Sequence, residues 1–257
     1  MSTKEDYIAV FDSGVGGISV LRELVKQMPG ENYLYFGDSA NAPYGNRPTQ
    51  QVRELTEQAA EYLFSRKIKA LVVACNTATS AAIDLLREKY PEAVVVGIEP
   101  ALKLAADRFP AGHIGVMATQ VTLREEKFLQ QLERFPQTRV DLIPAPGLVP
   151  LIEAGKADSA EAQALLESLL SPYRGKLDAL VLGCTHYPFV KKAIRNVLGS
   201  EVVLLDGGEG TARQTRRLLE QKDLLMEQDG SVLIENSSAD PAVTALCAKL
   251  LEEDAYA

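Results

Sequence analysis

Two cysteines stand in matching surroundings. Cys75 follows the run Ala70-Leu71-Val72-Val73-Ala74 and precedes Asn76-Thr77, while Cys184 follows Ala179-Leu180-Val181-Leu182-Gly183 and precedes Thr185-His186. Each closes an apolar run that reads as a buried strand, with polar side chains next, where the pattern predicts a helix to begin. A helix N-terminus lowers a thiol pKa from about 8.5 towards neutrality, and acidic or basic neighbours then set which cysteine is thiol and which thiolate. Two other chemistries use these residue types. Cys184 and His186 with Cys75 as a third ligand would make a metal site, but structural zinc sites favour close pairs such as C-x₂-C, and the sequence has none. A hydrolase built on Cys184 and His186 would need partners only two residues apart to meet, and it leaves Cys75 without a task. Cys247 falls in the apolar stripe of the last helix and reads as a small buried hydrophobe.

The other candidate groups also sit where strands end. Phe11-Asp12-Ser13-Gly14-Val15-Gly16-Gly17 takes a strand into a glycine-rich turn and a helix, which presents backbone N–H groups to an anion. Asp38 follows at about the distance of a ribose-binding acid in a dinucleotide fold. Two features oppose a dinucleotide: Ser19 stands where that motif wants glycine or alanine, and Asp12 would repel a pyrophosphate. Asp12 and Asp38 also suit helix caps, and a lone histidine such as His186 is often a satisfied polar contact. His113 is read only in that structural way.

The elements that must position these groups are short apolar strands alternating with helical periods. Strands are expected at Tyr7–Phe11, Tyr33–Phe36, Ala70–Ala74, Val94–Ile98, His113–Met117, Val140–Ile143, Ala179–Leu182, Val202–Leu205 and Val232–Ile234. Ile18, Leu21, Leu24 and Val25, and later Leu55, Ala59, Tyr62 and Leu63, follow the 3.6-residue period. A last helix is expected over Pro241–Glu253, capped by Asp240. The alternation predicts an α/β protein with mostly parallel sheets. Ile8-Ala-Val-Phe matches Ile114-Gly-Val-Met, the two cysteine strands match, and Val94-Val-Val matches Val202-Val-Leu, all at roughly 110 residues' separation, which implies two similar domains rather than a solenoid. In open parallel sheets, ligands bind beyond the carboxyl ends of the strands. Those ends carry Asp12-Ser13, Asp38, Cys75-Asn76-Thr77, Thr119 and Cys184-Thr185-His186.

The chain has 257 residues, 46% hydrophobic and 24% charged, enough apolar material for one or two cores, which excludes global disorder. Its 27 basic and 35 acidic residues give a net charge of −8, against nucleic-acid binding. No apolar run approaches the ~20 residues of a membrane span. The opening Met-Ser-Thr-Lys-Glu-Asp contains no signal-peptide core, and three widely spaced cysteines suit reduced thiols, so a cytoplasmic location is expected.

Six segments together resemble the glutamate racemase family, over essentially the whole chain and in the family's motif order. They are Phe11-Asp12-Ser13-Gly14-Val15-Gly16-Gly17; Gly37-Asp38-Ser39 with Pro43-Tyr44-Gly45; Ala74-Cys75-Asn76-Thr77-Ala78; Ile98-Glu99-Pro100; Val149-Pro150-Leu151-Ile152-Glu153; and Gly183-Cys184-Thr185-His186-Tyr187-Pro188. The resemblance implies a cofactor-independent racemase that interconverts L- and D-glutamate for peptidoglycan synthesis. It also implies two α/β domains about a pseudo-twofold axis with the active site in the cleft between them. The first would be discontinuous, residues 1–98 and 209–257, and the second would be residues 99–208. Cys75 and Cys184 would be the catalytic pair, with Cys75 deprotonating D-glutamate and Cys184 deprotonating L-glutamate. Asp12 would assist Cys75, and His186, positioned by Glu153, would assist Cys184. Asp12, Ser13, Asp38, Tyr44, Gly45, Asn76, Thr77, Thr119, Thr122, Thr185 and His186 would hold the substrate.

The resemblance implies no metal, no cofactor and no nucleic-acid or membrane partner. Glutamate is the expected small-molecule partner, and a homodimer is one assembly that fits. The alternative within the superfamily is a two-cysteine racemase for aspartate or another acidic amino acid. Some glutamate racemases also inhibit DNA gyrase, a role that no feature of this chain signals. The chain departs from the family at Glu125 and Phe128, where serine and tyrosine are usual, and at Pro144-Ala145-Pro146-Gly147, where a cysteine is usual.

Overall fold

The computed structural model describes residues 2–124, 126–226 and 228–252. Nine strands run through them: β1 Tyr7–Asp12, β2 Asn32–Gly37, β3 Ile68–Val73, β4 Val94–Gly97, β5 His113–Ala118, β6 Arg139–Pro144, β7 Ala179–Gly183, β8 Val203–Asp206 and β9 Ser231–Asn236. Each overlaps a strand expected from sequence, with ends displaced by at most two residues. The structure is α/β with two sheets, and every strand pairing in both is parallel.

The chain divides into two compact units, Met1–Glu99 with Gly208–Glu253, and Pro100–Gly207. The first holds the sheet β4-β3-β1-β2-β9 and the second the sheet β6-β5-β7-β8. Reversing the second gives 8-7-5-6 against 4-3-1-2, so the two units repeat one topology strand for strand. β9, from the segment that returns to the first unit, adds an edge beside β2.

Burial follows position in the sheets. The central strands β3 and β7 are buried along their whole length, as their continuous apolar sequences require. The edge strands β6 and β9 expose several residues. In the first unit Phe11, Leu34, Leu71 and Val73 pack with Val52, Leu63 and Leu86 from the covering helices. In the second, Leu180 and Leu182 pack with Leu148, Leu166, Ile194 and Val197.

Helix Ile18–Gln27 buries Ile18, Leu21 and Leu24, and helix Thr49–Phe64 buries Ala59 and Leu63. Tyr62, which keeps the same period, lies at the surface. Its ring rests on Phe36, and its hydroxyl donates to the Glu235 carboxylate at 2.6 Å, an apolar body with a polar tip. The last helix runs over Pro241–Glu252, and Asp240 caps it by accepting the Ala242 N–H at 2.9 Å. Glu253 lies outside the described residues. Among the described residues no helix is long and apolar enough to cross a membrane.

Candidate active site

In the first unit the chemistry gathers at the carboxyl ends of β1, β2 and β3. Asp12 ends β1, is fully buried, and turns its Oδ1 back to accept the Gly14 N–H at 2.9 Å. Gly17 makes that turn possible, because a Cβ there would lie 2.5 Å from the Asp12 Cβ. Ser13 is buried beside it. Asp38 follows β2, and its carboxylate accepts from the Tyr44 hydroxyl at 2.7 Å and from Asn41 Nδ2 at 3.1 Å. Burial, then the bond to Asp38, raises the Tyr44 phenol far above its ordinary pKa, so it stays a neutral donor. Gly45 continues the same 3₁₀ turn, Tyr44–Asn46.

Cys75 caps helix Asn76–Lys89. Its backbone is extended, its carbonyl accepts the Thr79 N–H at 2.9 Å, and its sulfur accepts the Ala78 N–H at 3.4 Å. The thiol lies 3.5 Å from Ser13 Oγ. Asn76 and Thr77, the first two helical residues, are buried, and Asn76 Oδ1 finds no donor among the described residues. A buried acceptor in that position suits an incoming N–H donor.

In the second unit the equivalent strand end behaves differently. The sequence predicts a helix beginning at Cys184, and none begins there: a 3₁₀ turn spans Tyr187–Val190 and the α-helix runs from Lys191 to Leu198. The reason is Pro188. The first α-helical bond after Cys184 would need an N–H at position 188, which proline lacks. The Cys184 carbonyl instead accepts from Tyr187 N at 3.1 Å, whereas Thr79 fills the equivalent position after Cys75.

The Cys184 thiol has an imidazole for a neighbour. His186 Nδ1 lies 3.6 Å from the sulfur, and Nε2 lies 2.5 Å from Glu153 Oε1, at the end of helix Leu148–Glu153. Complete burial works against the imidazolium, but the Cys184 sulfur and the Glu153 carboxylate override it and raise His186 well above its ordinary pKa. Thr185 is buried. Thr119, just past β5, has its hydroxyl 3.1 Å from that of Thr122 and accepts the Thr122 N–H, capping helix Gln120–Arg124.

Each unit therefore gathers its own share of the predicted residues: Asp12, Ser13, Asp38, Tyr44, Gly45, Cys75, Asn76 and Thr77 in the first, and Thr119, Thr122, Glu153, Cys184, Thr185 and His186 in the second. The sequence reading passed over Tyr187, whose fully buried hydroxyl has no partner among the described residues. Burial, then the nearby Cys184, raises that phenol well above its ordinary pKa.

The remaining candidates are structural. His113 Nε2 meets Asp141 at 2.7 Å, and Cys247 is fully buried in the last helix. Of the departures, Phe128 packs in the core with Leu102 and Leu123, Ala145 is buried, and Glu125 lies outside the described residues. Among the described residues no three His, Cys, Asp or Glu side chains group as metal ligands.

The sequence profile of the Asp/Glu/Hydantoin racemases matches residues 9–215, and the chain belongs to that family. Within it, the glutamate racemase of Clostridium acetobutylicum is 48% identical over 256 residues, 98% of this chain and 100% of the relative. The glutamate racemase of Thermus thermophilus, solved with β-chloro-D-alanine, is 38% identical with a TM-score of 0.83, covering 98% of this chain and 95% of that one. A glutamate racemase of Bacillus anthracis superposes with a TM-score of 0.87 at 30% identity, covering 97% and 95%.

Proposed function

We propose that the protein is a glutamate racemase that works without a cofactor, moving protons on and off Cα with Cys75 and Cys184. One observation carries the two-thiol reading. Two units of one topology each end the equivalent central strand in a buried cysteine. Relatives matched along their whole length point to glutamate.

Racemisation needs a proton to leave one face of Cα and another to arrive on the opposite face. A single base would return the proton to the face it left. Thiols suit both tasks because their reference pKa lies near physiological pH. Starting from L-glutamate, the Cys184 thiolate takes the α-proton and the C–H electron pair stays on Cα. The Cys75 thiol then gives its proton to the other face, leaving D-glutamate, a Cys75 thiolate and a Cys184 thiol. From D-glutamate the same steps run in reverse.

The carbanion-like state needs donors already in place. Ser13, Asn76, Thr77 and the Tyr44-Gly45 turn serve from the first unit, and Thr119, Thr122 and Thr185 serve from the second. Asp12 and Asp38 order the strand ends around Cys75, and Asp12 assists that thiol. His186, held by Glu153, stabilises negative charge on Cys184. The D-glutamate formed supplies peptidoglycan synthesis in the cytoplasm.

Circular dichroism of L-glutamate, D-glutamate and both aspartates tests the reading, using protein dialysed against a chelator. Both glutamate enantiomers should decay to zero ellipticity, and the aspartates should lag well behind. Faster conversion of aspartate would move the substrate assignment. Activity restored only by zinc or pyridoxal phosphate would remove the mechanism.

A further inference from the structure

We infer that the Lys191–Asp206 ion pair is a positioning device that fastens the loop carrying Cys184 and His186 to the carboxyl end of β8. The inference rests on the function proposed above, in which that loop bears one of the two bases.

Lys191 opens helix Lys191–Leu198, whose first turn contains no acidic residue. Its Nζ lies 2.8 Å from Asp206 Oδ2, and the two side chains are only 6% and 16% exposed. A lysine is poorly placed there, because a cation opposes the helix dipole at an N-terminus. Taking an ion pair out of water costs several kcal/mol per charge, and apolar residues of similar volume often serve stability as well. The arrangement makes sense as a device that specifies position.

What it specifies follows from the register. Asp206 pairs across the sheet with Leu182, two residues before Cys184, and Lys191 follows Cys184 by seven. The segment between lacks an α-helical start because of Pro188 and is held by successive 3₁₀-type turns, Tyr187 N to Cys184 O, Phe189 N to His186 O and Lys191 N to Pro188 O. The ion pair closes the far end of that segment onto the neighbouring strand.

The first unit supplies an internal comparison. There the residue two before Cys75, Val73, pairs with Gly97, and the residue seven after it is Ala82. That unit has a continuous helix from Asn76, and it packs so closely on β4 that a Cβ at Gly97 would meet Thr79 Cγ2 at 2.6 Å. The second unit, whose α-helix starts only at Lys191, has lysine and aspartate at the corresponding positions.

The test compares Lys191→Met, Lys191→Arg and the exchanged pair Lys191→Asp/Asp206→Lys with the parent protein. Each is given L- and D-glutamate analogues bearing a leaving group on Cβ, so that α-proton removal ends in irreversible elimination. A displacement near 1 Å costs on the order of 10²-fold in rate. Lys191→Met should therefore lose about 10- to 100-fold in kcat on the L-analogue, with little change in KM and little loss on the D-analogue. Lys191→Arg should retain most of the activity, and the exchanged pair should recover part of it.

Iodoacetamide labelling mapped by mass spectrometry gives a second readout. The rate at Cys184 should change at least about threefold in Lys191→Met while the rate at Cys75 holds, as a displaced thiol loses its set environment. Equal losses on both analogues, unchanged Cys184 labelling, or an exchanged pair that folds without recovery would each overturn the inference. If Lys191→Met fails to fold, the arginine variant and the exchanged pair decide. If the parent protein does not racemise glutamate, the functional reading fails, and Cys184 labelling still judges the ion pair.

Discussion

Replacing Glu153 by glutamine keeps the shape of the His186 contact and removes its charge. The carboxylate sits 2.5 Å from Nε2 of an imidazole that is 3% exposed, so solvent screens the interaction little. A hydrogen bond to a charged group contributes about 1.5–3 kcal/mol, against about 0.5–1.5 for a neutral one. The substitution should therefore cost the imidazolium about 1–2 kcal/mol, which lowers the His186 pKa. If the imidazolium stabilises charge on Cys184, that energy reaches the transition state and kcat/KM falls by about 5- to 30-fold.

The sign with pH is fixed as well. On the proposed reading activity depends on the protonated ring, so the alkaline limb of the rate profile should move to lower pH in Glu153→Gln. L- and D-glutamate have equal free energies, so racemisation cannot show a one-sided loss of kcat/KM. Elimination from the L- and D-analogues can, and only the L-analogue should be slowed. Equal slowing of both analogues, or an alkaline limb that stays where it was, would refute the coupling of Glu153 to Cys184 through His186.

Cys75→Ser and Cys184→Ser should each lower racemisation by at least about 10³-fold, because a hydroxyl is a far weaker acid and base than a thiol near neutrality. Cys75→Ser should still eliminate from the L-analogue and Cys184→Ser from the D-analogue, with Cys247→Ser as an unaffected control; loss of both eliminations in either folded mutant would sink the assignment. His186 has a raised folded pKa, so its stabilisation is complete below about pH 6.5 and is lost as pH rises through the folded value. The melting-temperature gap between the parent and His186→Asn should therefore close towards alkaline pH, and a gap that widens there would contradict the buried imidazolium.

Strands were legible because their signal is local. Runs such as Ala-Leu-Val-Val and Ala-Leu-Val-Leu can hardly be anything but buried parallel strands, and the error lay in the end residues, where hydrogen bonds rather than hydropathy decide. The helix expected at Cys184 failed on one missing N–H, a fact written in the sequence four residues downstream at Pro188. Tyr62 keeps the 3.6-residue period and still lies at the surface, because a phenol can cover Phe36 and reach solvent. The contact between Glu153 and His186 had no local signal: the residues lie 33 apart, and only the family resemblance joined them. Lys191 and Asp206 carried none either, since lysines and aspartates ordinarily face water and nothing in their spacing marks this pair as buried.

The two units keep one topology and surround their cysteines differently. The Cys75 sulfur has a serine hydroxyl and a backbone N–H among its neighbours, while the Cys184 sulfur has an imidazole braced by a carboxylate. Such asymmetry cannot shift the balance between enantiomers, because a catalyst leaves an equilibrium constant of one untouched. It acts on how each sulfur is held. The imidazole and its carboxylate fix the Cys184 sulfur through a side chain from another helix, whereas the Cys75 sulfur is fixed by the start of its own helix. Divergence between the two copies is then compatible with a symmetric reaction, with its consequences confined to how each direction divides its efficiency between kcat and KM.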